Sequence, residues 1–259
     1  MSNIGKARTP TGVVLNYGKL STLYYNLSKP FPPKVEFDFY LRELQSTKGK
    51  VLEPMCGSGR FLRPLAARGI KIEGFDKSPQ MIQACTSQLF ESKLVAEVFR
   101  SDFREFSPNS KYGVVLIPSG SFGLLKDAEE QIVALEKILS WLETDGLLIM
   151  EVETPAALPT SGKWQGKAYS FDEGCEITIS GTCHTTRTGY RNEIIYKLLK
   201  NGEVIEEEQE DFEMNLASQE SVRRILKDIG FSRIETFPPF DPSRNVSELE
   251  PSFVVRAHG

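Results

Sequence analysis

Three carboxylates and one glycine-pinched turn are the residues of this sequence best spaced for chemistry. The turn is CGSG, residues 56–59, set between the apolar run VLEP and a helical pattern. Glycines at such a place take positive φ without strain and let backbone close on a ligand. The helix behind it offers unpaired N–H groups. Glu53 stands just before the turn. Asp76 ends the next apolar run, about twenty residues after the glycines, where a carboxylate accepts both hydroxyls of a ribose. Asp102 follows the third run, in SDF. Its carboxylate can accept from an adenine amino group, and the Phe103 amide can meet a ring nitrogen. A single glycine turn is a weak signal. Acids at the carboxyl ends of three successive strands are a specific one, because ligands of open α/β sheets bind at that edge.

Two other nucleotide sites fit less well. A dinucleotide turn calls for a third glycine three residues after Gly59, and that position is Leu62. A phosphate-binding P-loop calls for Gly-Lys-Ser/Thr after the turn, which is absent. An NAD-type Rossmann oxidoreductase and a non-catalytic cofactor-binding subunit stay open as alternatives.

The elements that must position these residues follow from periodicity. Helical patterns cover residues 17–27, stopped by Pro30, Pro32 and Pro33, and residues 35–45. Strands are expected at 50–53, 71–76, 95–100, 112–117 and 146–152. Helices alternate with them at 60–68, closed by Gly69, from Ser78-Pro79 onward, and at 127–142. This rhythm predicts an α/β fold, a mostly parallel sheet with helices on both faces. After Pro155 it changes. Residues 176–184, 192–200 and 203–216 read as antiparallel strands, with Asn201-Gly202 as a hairpin turn. A helix at 218–229 and strands at 231–237 and 253–256 then close the fold. The organisation expected is one structural domain: N-terminal helices forming a lid (1–47), an α/β core (48–155), an antiparallel β insertion (156–217) and the closing core elements (218–259).

In order, VLEPMCGSGR, GFDKSPQM, SDFREF, YGVVLIPSGSFGLL and LETDGLLIMEV resemble the class I S-adenosylmethionine-dependent methyltransferases, in particular small-molecule enzymes with an antiparallel insertion after strand five. The resemblance implies a three-layer Rossmann-like fold with a seven-stranded sheet, and a reaction that moves a methyl from S-adenosylmethionine to a small N or O acceptor, leaving S-adenosylhomocysteine. It implies that Glu53 and the turn residues Cys56, Gly57, Ser58 and Gly59 hold the methionine end, that Asp76 holds the ribose with Lys77 beside it, that Asp102, Phe103 and Met81 hold the adenine, and that Pro118 and Ser119 lie beside the sulfonium. Met55 departs from the pattern, where many members carry glycine. In such enzymes the N-terminal segment often folds over the cofactor with aromatic residues near the methyl. Tyr25 is the first choice there and Tyr17 the second, with Tyr24, Ser119, Ser121, Glu151 and Glu153 as further candidates to assist proton loss.

Bulk properties agree with that reading. A chain of 259 residues with net charge −4 lacks the basic run of a nucleic-acid binder. Its two histidines make a His-built metal site improbable, and its four cysteines form no CxxC pair. Reduced thiols and a polar opening predict a cytoplasmic protein without a signal peptide, and no run is long enough to cross a membrane. Met81 reads first as a core residue of its helix, and Cys56 as a small packing residue rather than a nucleophile, since no His is near it in sequence. Glu206, Glu207 and Glu208 read as a solvated edge face. The insertion is expected either to wall the acceptor pocket, using Trp164, Tyr169, Arg187 or Arg191, or to pair across a homodimer.

Overall fold

A computed structural model describes residues 17–259. The first part of the N-terminal segment expected above, residues 1–16, lies outside the described residues. Two helices come first, α1 (Lys19–Ser28) and α2 (Lys34–Ser46), parted by the proline-rich link. The core then alternates: β1 (Val51–Pro54), α3 (Leu62–Ala66), β2 (Ile72–Asp76), α4 (Pro79–Glu91), β3 (Glu97–Arg100), β4 (Tyr112–Ile117), α5 (Ala128–Trp141) and β5 (Leu142–Glu153). Ser78 caps α4 by accepting from the Met81 N–H at 3.1 Å, with Pro79 at the first helical position. Asp127 caps α5 in the same way. Two sequence expectations shift here. The third helix is shorter than 60–68 because the turn runs on through Phe61, and β5 begins at Leu142, directly out of α5.

Five strands follow: β6 (Gly162–Gln165), β7 (Tyr169–Ser170), β8 (Cys175–Thr185), β9 (Gly189–Lys200) and β10 (Glu203–Asn215). The first two are too short to show a period in the sequence. Asn201 and Gly202 both sit at positive φ (53° and 86°), and Lys200 faces Glu203, which is the two-residue hairpin their dipeptide encodes. The chain closes with α6 (Gln219–Ile229), β11 (Ser232–Phe237) and β12 (Ser252–His258).

The main sheet has seven strands in the order β11-β12-β5-β4-β1-β2-β3, and β12 alone runs antiparallel to its neighbours. Its middle strands are buried on both faces, which is why they read as unbroken apolar runs. Along β4 the side chains alternate. Val115 and Ile117 join Leu135, Ile138 and Trp141 of α5, whereas Val114 and Leu116 join Phe39 and Tyr40 of α2 and Leu62 of α3. The protein is therefore a three-layer α/β fold. The strand order reverses between β1 and β4, so their carboxyl ends open a crevice.

The second sheet, β10-β9-β8-β6 with β7 on β8, packs Ile177, Ile179, Ile194 and Tyr196 against Leu20, Leu23, Tyr24 and Leu27 of α1. This joint corrects the reading of the glutamate run. Glu208 accepts the N–H groups of Leu20 and Ser21, both at 2.9 Å, and Glu206 pairs with Lys19 at 2.6 Å. Glu210 accepts the N–H of Tyr17. Glu208 thus serves the positive end of a helix, and Glu207, the most exposed of the run, pairs with Lys197 at 3.5 Å.

Candidate functional site

The crevice opens into a cavity lined from the ends of β1, β2 and β4. Its floor is the turn after β1. Gly57 sits at φ 54°, and its N–H donates to Asp76 Oδ2 at 2.9 Å. A Cβ there would approach only Met81 Sδ, at 3.8 Å, so this side of the turn is open to the cavity. Gly59 serves packing instead. A Cβ on it would lie 2.6 Å from Cys85 Sγ of α4. Ser58 is buried and, like Gly59, does not line the cavity. The structure thus splits the four-residue turn: Cys56 and Gly57 reach the space, while Ser58 and Gly59 hold the turn to the core.

The three acids converge on this space. Asp76, at the end of β2, uses one oxygen for the Gly57 N–H and the other for the Ser78 N–H at 2.8 Å. Burial raises its pKa, and those two N–H groups hold it back. Each oxygen keeps a lone pair for a hydroxyl. Asp102 Oδ1 accepts from the backbone of Arg104 and Glu105 at 2.8 and 3.0 Å, which fixes its carboxylate and leaves Oδ2 free of those bonds. Phe103 follows it, packed edge-on against Phe75 at 5.3 Å. Glu53 is 3% exposed, and its Oε2 has no hydrogen-bond partner. Burial, with the charge of Asp76 added, raises its pKa well above the usual carboxylate range. A buried carboxylate oxygen aimed into a cavity without a donor is costly alone, and it suits a ligand that brings a cationic N–H. Lys77 and Met81 complete this end.

At the other end β4 stops at Pro118 and Ser119. Ser119 holds φ 55° and Gly120 φ 67°, so the chain doubles back at the cavity wall. Met55 also sits at positive φ, 57°, the conformation a glycine would take freely. It keeps the turn geometry at a cost in strain, and its side chain both lines the cavity and packs on the core.

The lid is formed by Tyr17 and Tyr25, whose rings meet edge-on at 6.0 Å. The Tyr17 carbonyl accepts from Ser78 Oγ at 2.6 Å. Burial raises both phenol pKa values, opposed at Tyr25 by Arg60. Neither is an ionised base near neutral pH. Tyr24 points the other way, edge-on to Tyr169, with its hydroxyl donating to the Lys167 carbonyl. One helical position separates it from Tyr25, enough to turn it to the opposite face. Cys56 is buried with its thiol pKa raised by burial, which suits packing and not nucleophilic attack. Glu151 does not line the cavity. It is buried behind it, accepting from Ser252 Oγ at 2.7 Å.

Two side chains here had no sequence signal. Arg60 lines the cavity and donates from Nε to the Phe31 carbonyl at 3.2 Å, fastening the link between α1 and α2. Glu36 is buried beside Ser119 and Glu151. In sequence it is an ordinary acid in the first turn of a helix. Among the described residues no cluster of His, Cys, Asp and Glu has a metal-holding arrangement, and no helix is long and apolar enough to cross a membrane.

Residues 51–146 match the methyltransferase domain. The dTDP-3-amino-3,6-dideoxy-alpha-D-glucopyranose N,N-dimethyltransferase of Streptomyces fradiae is 26% identical over 195 residues, 74% of this chain and 73% of its own. A provisionally named methyltransferase of Bacillus subtilis (strain 168) is 25% identical over 108 residues, 41% of this chain, and the chain spans only 43% of that relative's length. The structure of a sugar N-methyltransferase from a Streptoalloteichus species superposes with a TM-score of 0.77 at 18% identity, over 98% of both chains, which is a likeness of fold.

Proposed function

We propose that this chain, a class I S-adenosylmethionine-dependent methyltransferase, moves the cofactor's methyl group to the amino nitrogen of a small, sugar-like acceptor. The observation that carries the reading is the ordered set Glu53, Gly57, Asp76 and Asp102 along one cavity, ending at Ser119 on the switch point. The amino-sugar dimethyltransferase of Streptomyces fradiae, similar over most of the chain, supports the acceptor class.

In this reading Glu53, Cys56 and Gly57 hold the methionine end, Asp76 and Lys77 the ribose, and Asp102, Phe103 and Met81 the adenine. Ser58 and Gly59 act by keeping the turn in shape. When bound, S-adenosylmethionine supplies a methyl on a sulfonium, and displacement forms the new nitrogen–carbon bond as the carbon–sulfur electrons return to sulfur. The protein's own work is orientation and exclusion of water. Tyr17 and Tyr25 cover the cavity, Pro118 and Ser119 wall the reacting end, and Arg60 fixes the link between the lid helices. The proposal includes the cytoplasm as the site of action, which four free cysteines favour. It also includes a homodimer, for which sedimentation is the direct test.

The test is transfer of a labelled methyl from S-adenosylmethionine to dTDP-3-amino-3,6-dideoxyglucose, beside the same sugar with a hydroxyl in place of the amine. Labelled amine product and an unlabelled hydroxyl analogue are expected. Transfer to the hydroxyl sugar alone refutes the nitrogen assignment.

A further inference from the structure

Behind the reacting end of the cavity lies a buried polar group that the reading above does not use. Glu36 of α2 and Glu151 of β5 are 5% and 9% exposed, and their carboxyls are neighbours, the charge of Glu151 raising the Glu36 pKa. Two ionised carboxylates side by side repel, so below about pH 8 a proton stays on Glu36 and above it Glu36 is free to accept one. Ser252 donates to Glu151 Oε1 at 2.7 Å. Glu151 Oε2 is buried without a hydrogen-bond partner. The fully buried Tyr40 hydroxyl, which feels both carboxylates, is also without a partner. The cations facing Glu36 are Arg60 from the turn after β1 and Lys29 from the link before α2. The further acid on this side is Glu153 of β5, which adjoins Glu151 and Lys29. Such a group costs the fold free energy, and a single side chain joins it to the cavity. Ser119 Oγ donates to Glu36 Oε1 at 3.3 Å, and Ser119 itself lines the cavity.

We propose that Glu36 takes the proton which the acceptor nitrogen must lose, with Ser119 as the bridge and Glu151 holding Glu36 in position. The inference rests on the nitrogen-acceptor reading. An amine arrives as an ammonium, and its lone pair is free for the methyl only after one proton leaves. That proton passes to Ser119 Oγ as the serine hydroxyl proton passes to Glu36 Oε1. The nitrogen keeps its electron pair, the serine is unchanged, and Glu36 becomes neutral. Burial, then the charge of Glu151, pushes the Glu36 pKa up to about 8, while Arg60 and Ser119 pull it down. A base in that range is matched to an amine near neutral pH. Ser119 is held for the role by a left-handed backbone, φ 55°, that few non-glycine residues take.

The first test needs no acceptor. Protein carrying 13C at the glutamate carboxyls is titrated by NMR. One resonance should move between pH 7 and pH 9 and be missing from Glu36→Gln. If no resonance that is missing from Glu36→Gln titrates above about pH 6, where an ordinary carboxylate has long been ionised, the proposal fails. The second test is the pH profile of methyl transfer to the amino sugar. Wild type should rise through about pH 8. Glu36→Gln should lose on the order of 10²-fold in kcat and lose the rise, with S-adenosylhomocysteine affinity unchanged as a check on folding. Glu36→Asp should restore part of both, and Ser119→Ala should resemble Glu36→Gln. An unchanged profile in Glu36→Gln overturns the relay and leaves the acceptor class standing. No transfer by wild type, with the resonance titrating, rejects the acceptor class and supports the protonated pair.

Discussion

Replacing Asp76 by Asn changes one atom type at the centre of the proposed cofactor site. Its two oxygens each accept a backbone N–H, from Gly57 at 2.9 Å and from Ser78 at 2.8 Å. An amide has one oxygen, so in either orientation an NH2 faces one of those N–H groups. It also removes the charge and one acceptor position toward a ribose. Hydrogen bonds to charged groups contribute about 1.5–3 kcal/mol each when both partners are buried. Without one such bond, Asp76→Asn should bind S-adenosylhomocysteine about 10- to 150-fold more weakly. Isothermal titration measures this directly. The 2′-deoxy cofactor product separates the ribose interaction from damage to the turn. In wild type it should bind about 5- to 10-fold more weakly than the ribose form, the value of one net hydrogen bond, and in Asp76→Asn the two forms should converge. Equal weakening for both forms would mean that Asp76 only shapes the turn. Unchanged affinity would remove it from the site altogether.

Three more outcomes follow from the same geometry. Burial raises the Glu53 pKa well above the usual carboxylate range, and a cationic ligand group favours the ionised form, so cofactor binding should lower that pKa and release protons at pH values between the free and bound pKa. Titrations in buffers of different ionisation enthalpy should show it in wild type and not in Glu53→Gln. Met55 sits at φ 57°, so Met55→Gly should be more stable than Met55→Ala by about 1 kcal/mol, the reverse of the usual order. Equal or inverted melting temperatures would argue against strain at Met55. Glu208→Gln removes the charge from the two bonds at the start of α1. Hydrogen exchange at residues 20–22 should speed up by about 5- to 30-fold while β4 stays protected, a loss of about 1–2 kcal/mol.

What the sequence discloses here depends on how local the cause is. Asp76 and Asp102 are legible because one ends a strand and the other follows the next strand by two residues, and the carboxyl edge of a parallel sheet is one place. Asn201-Gly202 is legible because two positive φ angles in succession demand such residues. Glu36 is not, since its burial depends on α2 lying across the ends of β4 and β5, far away in the chain. Glu151 is legible as an acid at the end of β5, but period two alone points it toward the cavity, and packing turns it to Ser252 and Glu36. Glu208 shows the same limit. An acid in a charged strand looks solvated until a helix end from residues 188 positions earlier is seen to rest on it.

That helix end has a kinetic meaning. Tyr17, bonded to Ser78 beside Asp76, and Glu208, on the second sheet, hold opposite sides of the same short segment. Opening the cavity beneath Tyr17 therefore means working α1 loose from the second sheet. The strength of a joint far from the chemistry then sets how fast a ligand leaves, and Glu208→Gln should speed release of S-adenosylhomocysteine in stopped-flow chases.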